Sequence, residues 1–291
     1  MLFILCSIIW GSTWLAITYQ LGTVDPMVSI FYRFLIAVSV LFVYTVATGR
    51  RLRFTARDHL FLFVTGAFMF CINYWLVYTA ETALTSGLVA ITFSTMIFLN
   101  AVNNRIFLKA PVAPAVIIGG VLGLAGLGCL FYRELAAFSF GAASTGALGL
   151  GLLGSLAASF GNTAAQVCHR RGIPTIQMTL FAMAHGTMLM GIAALCTGTP
   201  FTFDPSPGYV GALVYLGVVG SIVAFMAYLT LLKNLGSDKT AYITLVTPIV
   251  ALILSTFFEG YTWSAAALVG GVLIILGNYV ALGQRRAPRT A

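Results

Sequence analysis

The chain has 291 residues, 60% of them hydrophobic and 8% charged, with a mean hydropathy of +1.00 and a formal net charge of +8 at pH 7. A soluble domain carries roughly 25% charged residues, and a soluble core cannot hide this much apolar surface, so the composition excludes a soluble globular protein. The excess of positive charge then points to a membrane surface before it points to nucleic acid.

A spanning helix needs roughly 20 apolar residues at about 1.5 Å each. Ten runs meet that need: 2–20, 27–48, 59–79, 85–107, 112–132, 145–168, 173–196, 208–233, 240–259 and 263–283. The breaks between them are too short to hold a soluble domain. The first run lacks a basic start and an Ala-x-Ala cleavage site, so it is read as a helix rather than a signal peptide. The expected fold class is an all-α membrane protein.

In chain order, the first run carries Trp10 and Trp14 on one face. The second carries Arg33, six or seven residues in. A charge at depth is expensive and marks a site by default. Arg33 is a candidate for binding a carboxylate; snorkelling to headgroups or pairing with Glu81 or Glu259 are the alternatives. The third run spaces Phe70, Tyr74 and Tyr78 four apart, with Asn73 beside them. Aromatic rings with a polar handle suit a flat, amphipathic ligand. Tyr74 and Tyr78 are assigned to a cavity, and Trp75 to the interfacial belt. The fourth run brings Thr95, then Asn100, Asn103 and Asn104, which either line a vestibule or cap the helix.

The fifth run offers Gly119, Gly123 and Gly126 as a small face for close packing. The sixth has Ser155, Ser159, Asn162 and Gln166 at helical spacing, open to interhelical hydrogen bonding or to substrate contact. The seventh holds His185, the one histidine near mid-membrane, and the eighth holds Tyr228. In the ninth, Pro248 removes a helical hydrogen bond and frees the carbonyl of Thr244. That carbonyl needs a cavity or a neighbouring helix, and Pro248 is either a hinge or a packing kink. The expected cavity lies between the first, third, fourth, sixth, eighth and ninth helices, lined by Trp10, Asn73, Tyr74, Tyr78, Thr95, Asn162, His185, Tyr228 and Thr244.

Charge sets the orientation. With the N-terminus inside, 13 of the 15 Lys and Arg fall on the cytoplasmic side: Arg50, Arg51, Arg53, Arg57, Arg105, Lys109, Arg170, Arg171, Lys233, Lys239, Arg285, Arg286 and Arg289. This is the positive-inside bias, and it places the basic face against anionic lipid. Both termini are then cytoplasmic.

The chain also repeats itself. ITFSTMI at 91–97 answers ITLVTPI at 243–249, and Gly119, Gly120 and Gly126 answer Gly270, Gly271 and Gly277. The two copies are 1–132 and 145–283, five helices each. Five is odd, so the second copy enters the membrane from the opposite side; such inverted repeats are the architecture of secondary transporters.

Trp10-Gly11-Ser12, the Ala-x-x-Ala-Leu-x-Ser run from Ala80 to Ser86, Thr247-Pro248, Phe257-Phe258-Glu259-Gly260 and the glycines of the tenth helix resemble the drug/metabolite transporter superfamily, EamA family. Within it the chain is most similar to the YddG type, bacterial inner-membrane exporters of aromatic and other amino acids. The resemblance covers the whole chain and implies ten helices, cytoplasmic termini and export. Two positions depart from it: Met96 stands where the proline would be, and Lys109 where an acid is common. The first half is therefore expected to be the less kinked.

No HExxH, Walker, GxSxG or clustered-carboxylate motif is present, which argues against an ATP-driven pump and an intramembrane enzyme. The five cysteines lack CxxC spacing and read as small core residues, so neither a metal nor a cofactor is expected. The leading function is export of amino acids by alternating access. The alternatives are a broad exporter of drugs or lipophilic compounds, and a membrane-embedded enzyme or accessory protein. All seven acids fall in or beside loops, leaving His185 as the candidate proton carrier. Transport is accordingly expected to run on the substrate gradient without obligatory proton exchange.

Overall fold

The computed structural model describes residues 1–20, 22–258 and 261–283. The Trp14 side chain, Glu259, Gly260, Arg285, Arg286 and Arg289 lie outside the described residues. Ten apolar helices carry the described chain: α1 Leu2–Thr18, α2 Pro26–Ala47, α3 Ala56–Glu81, α4 Ser86–Phe107, α5 Pro114–Leu130, α6 Ala142–Arg170, α7 Thr175–Cys196, α8 Pro207–Leu235, α9 Ser237–Phe258 and α10 Ala265–Gly283. A short helix, Tyr132–Ala136, follows α5. Eight of the ten are long and apolar enough to cross a bilayer; α1 and α5, at 17 residues each, are shorter than the runs that predicted them. The protein is a multi-span membrane protein.

Local chemistry sets the helix starts. Asp25 caps α2 by accepting from the Met27 N–H at 2.8 Å, with Pro26 in the first turn. Thr55 and Asp58 form a reciprocal capping box at the start of α3. Asp58 also pairs with Arg171 at 2.7 Å, which joins the basic end of α3 to that of α6.

Two helices are locally underwound in the same way. Ala67–Ile72 of α3 and Val218–Val223 of α8 are π-helical, and the two segments stand 151 residues apart. Such segments are rare, favour functional sites and disturb the regular helical hydrogen bonds.

Packing repeats the pattern. α5 and α10 approach so closely that a Cβ at Gly119 would lie 2.5 Å from the Gly277 carbonyl oxygen, and one at Gly126 would lie 2.7 Å from that of Gly270. Only glycine permits this approach. The contact is reciprocal, because Gly270 is the sequence counterpart of Gly119, and Gly277 that of Gly126. Other pairs follow suit: α1 packs on α9 as α6 packs on α4, and α2 packs on α8 as α7 packs on α3.

Two large apolar cores result, with two smaller ones beside them, among the described residues. One is built largely from α2, α3, α7 and α8, around Phe34, Phe70, Met183 and Leu229. The other is built largely from α4, α5, α9 and α10, around Ile97, Leu127, Leu245 and Ile274.

The kinks differ from expectation. α4, which lacks the proline, is interrupted at Thr95, while α9 winds through Pro248 and is interrupted at 241–242 instead. The reason lies in the hydroxyls of α4. The Thr92 carbonyl accepts from the Thr95 N–H at 3.1 Å, the Thr95 hydroxyl at 2.6 Å and the Ser155 hydroxyl at 2.8 Å. These donors draw it away from regular helical bonding and interrupt α4 at Thr95 without a proline.

Candidate functional site

A cavity of about 180 Å³ is lined by α1, α2, α3, α4, α6, α8 and α9. Trp10, Met69, Phe93, Met96 and Phe225 give it an apolar wall; Thr13, Asn73, Tyr74, Tyr78, Asn162, Tyr228, Thr244 and Thr247 supply neutral polar groups. Its charged lining residues are Arg33 and Glu81. An apolar pocket with a few convergent polar groups is the usual form of a small-molecule site.

The π segment of α8 organises one side. The Gly220 carbonyl accepts from Trp10 Nε1 at 3.3 Å and from an Arg33 Nη at 3.3 Å. Arg33 Nε donates to Ser221 Oγ at 2.9 Å, and that hydroxyl donates on to the Leu216 carbonyl at 2.9 Å. Trp10 is thereby held against Phe225 and Tyr228, ring centroids 5.2 and 5.1 Å away. The guanidinium lies 5.6 Å from the Phe34 ring and 5.7 Å from the Tyr74 ring.

Arg33 is 3% exposed, and among the described residues no carboxylate lies within 4 Å of it. Neutral acceptors and ring faces orient the charge without cancelling it. A buried charge left in this condition is costly and favours an anionic visitor.

The floor of the cavity is a hydrogen-bonded lattice. Tyr228 donates to Asn162 Oδ1 at 3.0 Å, and Asn162 Nδ2 donates to Asn100 Oδ1 at 3.4 Å. Asn100 Nδ2 donates to the Ser237 carbonyl at 2.9 Å. Below it, Asn104 and Gln166 both donate to Ser237 Oγ, at 3.0 and 2.7 Å. Asn103 donates to Ser159 Oγ at 2.8 Å. These groups tie α4, α6 and α9 together at the basic end. The cavity lining runs the other way, toward Glu81 at the far end of α3 and Ile17 near that of α1.

Of the residues singled out from sequence, Trp10, Arg33, Asn73, Tyr74, Tyr78, Asn162, Tyr228, Thr244 and Pro248 surround this one cavity. Asn73 also donates to the Gly154 carbonyl at 2.9 Å, so it ties α3 to α6. Two residues lie elsewhere. Thr95 is not in the lining; its hydroxyl is turned onto the Thr92 carbonyl of its own helix. His185 is not in the lining either; it sits on the face of α7 that packs against α3, its ring 6.0 Å from that of His59 and 5.7 Å from that of Phe63.

Among the lining residues missed are Thr13, Met69, Phe93, Phe225, Thr247 and above all Glu81. Its place at the end of an apolar run made it look like a loop acid, yet α3 continues to Glu81 and turns it into the cavity. The signal was present in the spacing: Tyr74, Tyr78 and Glu81 recur at four and three residues, one helical face.

Comparisons with known proteins agree with this architecture. The model of the EamA-like transporter family matches residues 1–132 and 145–283. The chain is 26% identical to protein PagO of Salmonella typhimurium over 295 residues, covering 100% of this chain and 94% of PagO. It is 28% identical over 284 residues to the inner membrane transporter YedA of Escherichia coli, covering 94% and 89% of the two. A transporter of Bacillus subtilis, YyaM, is 26% identical over 300 residues, covering 97% and 93%. A protein of known crystal structure superposes with a TM-score of 0.81 at 18% identity, covering 96% of this chain and 94% of the other; at that identity the likeness speaks for the fold alone.

Proposed function

Because the chain belongs to the EamA-like transporter family and is a membrane transporter, we propose that it exports small metabolites, amino acids including aromatic ones among them, by alternating access through this cavity. The observation that carries the reading is the cavity itself: an aromatic and apolar wall into which a buried arginine, without a carboxylate partner among the described residues, is held by the α8 π segment. An apolar side chain fits the wall, and a carboxylate answers the guanidinium.

Alternating access is best served by two inverted five-helix repeats, 1–132 and 145–283, related by a two-fold axis in the membrane plane. The reciprocal glycine contacts support that reading, since a two-fold brings residue i to j′ and j to i′. The π segments at matching positions support it too. The basic loops favour cytoplasmic termini, with that face on anionic lipid of a bacterial inner membrane. In this orientation the lattice around Ser237 closes the cytoplasmic side, and the cavity belongs to an outward or occluded state.

Glu81 in the wall gives some support to a second reading, an exporter of lipophilic cations, but such a cargo would meet the like charge of Arg33. Purified protein in liposomes, loaded with radiolabelled L-phenylalanine at equal pH on both sides, distinguishes the two. Efflux competed by other amino acids is expected; efflux competed only by organic amines would favour the second reading.

A further inference from the structure

The cavity lining contains two formal charges of opposite sign, and they are not spent on each other. Among the described residues the ion pair within 4 Å is Arg171 with Asp58, far from this wall. Arg33 instead uses the Ser221 hydroxyl and the Gly220 carbonyl, while Glu81 lines the same space from α3.

Their spacing along the wall follows from helix geometry. Arg33 lies 5.7 Å from the Tyr74 ring. Tyr78 is one turn beyond Tyr74, and Glu81 nearly another, on the same face. Seven residues at about 1.5 Å each put Glu81 roughly 10 Å along the axis from Tyr74. Long side chains on both partners shorten that distance. A free α-amino acid holds its ammonium and carboxylate roughly 3 Å apart, and a charge-assisted hydrogen bond of about 2.8 Å at each end brings the reach to roughly 9 Å. That reach is of the same order as the separation this helical spacing gives the two side chains.

We propose that Glu81 is the ammonium-receiving group of the cavity, so that with Arg33 on the carboxylate the site reads both charges of a free α-amino acid, whose side chain lies against Trp10, Phe93 and Phe225. This rests on the amino-acid reading of the same cavity given above. It explains why neither a simple cation nor a simple anion is the complementary cargo: each satisfies one wall charge and leaves the other desolvated beside a like charge or beside nothing. It also places an acid in the membrane-embedded part of the transport path, where the sequence had suggested none.

The test uses full-length protein in detergent and in liposomes, with three probes that differ only in charge: L-phenylalanine, 2-phenylethylamine and 3-phenylpropionate. A second set built on leucine covers a smaller side chain. Binding is read by ligand-induced shift of the melting temperature, and transport by counterflow. In the wild type the amino acid is expected to half-saturate at a concentration at least tenfold lower than either analogue. Glu81→Gln should erase most of the preference over the phenylpropionate while keeping the preference over the amine. Arg33→Gln should do the reverse; since Arg33 also braces α8, Arg33→Lys, which keeps a charge but loses the fork, is measured beside it and should retain more of the preference over the amine.

A Glu81→Gln protein of unchanged melting temperature that weakens all three probes alike, or none, overturns the role of Glu81. So does a wild type that shows no preference for the zwitterion in either set. If the preference is found in detergent but no amino acid crosses the liposome membrane, the transport reading falls and the role of Glu81 stands. If amino acids cross but Glu81→Gln leaves the ratios untouched, the transport reading stands and the role of Glu81 falls.

Discussion

α3 and α8 are built on one plan and used for different ends. Each carries a six-residue π segment at matching positions, and each places aromatic residues on the cavity in the turn that follows: Tyr74 in α3, Phe225 in α8. Beyond that point they diverge. The counterpart of Glu81 is Leu232, which is 1% exposed and packs in the larger core. Both charges of the cavity, Arg33 and Glu81, come from the first half; the second half gives neutral groups, Asn162, Phe225, Tyr228 and Thr244. Symmetry in this molecule belongs to the scaffold, where small residues and π segments set helix approach. Polarity is laid over it asymmetrically, because a ligand is not two-fold symmetric.

The sharpest way to break this comparison is to exchange the two positions. Leu232→Glu puts an unpaired carboxylate into the apolar core at a cost of several kcal/mol. The expected outcome is loss of monodisperse protein on size exclusion. Glu81→Leu should keep the fold, with a melting temperature within a few degrees of the wild type, and lose charge discrimination. Equal tolerance at the two sites would show that the divergence of α3 and α8 has no energetic content.

The scaffold symmetry predicts a smaller, matched pair of effects. Gly119→Ala and Gly270→Ala each force a methyl toward a backbone carbonyl of the facing helix, at 2.5 Å in both cases before any adjustment. Overpacking of this kind costs about 1–3 kcal/mol. The two melting temperatures should fall together; a large difference between them would set the halves apart at this reciprocal contact.

Tyr228→Phe is smaller again. It removes the hydroxyl that donates to Asn162 Oδ1 at 3.0 Å and leaves that oxygen short of a donor. The expected loss is about 1 kcal/mol in thermal unfolding, with weaker retention of substrate as the floor loosens.

How much of this could be read beforehand depended on whether one helix sufficed to define the feature. The apolar runs, the glycine face and the α6 stripe are properties of single helices, and spacing reveals them. Which neighbour they meet is not. Ser155, Ser159, Asn162 and Gln166 share a face as expected, but only the assembled bundle shows that all four bond to α4. His185 sits at mid-helix depth and still misses the cavity, because depth says nothing about rotation around the axis. Glu81 was hidden by a boundary: two more residues of helix moved it from loop to wall. Thr95 was lost to its own backbone, since a threonine hydroxyl within a helix readily finds a carbonyl one turn back.

The least effect on stability, and the most telling one for motion, is expected at the matching carbonyls of Thr92 in α4 and Thr244 in α9. In α4 the Thr92 carbonyl is held by hydroxyls from Thr95 and Ser155. In α9 the corresponding carbonyl, that of Thr244, faces Pro248, which has no N–H to offer it and whose ring crowds it. The first carbonyl is held by hydrogen bonds that can be exchanged; at the second the missing donor is fixed in the covalent chain, although the helix winds on through Pro248. Pro248→Ala restores one donor and removes the crowding, so it should stabilise the protein by about 1 kcal/mol or less, raising its melting temperature by about 2 °C. If the hydrogen bond missing at Pro248 lets α9 flex and the second half rock around the cavity, the same change should slow efflux severalfold without altering the concentration of half-saturation, because Thr244 and Thr247 keep their places in the wall. Thr95→Val should act on rate more gently, since the Ser155 hydroxyl still holds the Thr92 carbonyl. Pro248→Ala with wild-type flux would make the proline a packing feature, and the transport motion would have to be sought in the π segments of α3 and α8 instead.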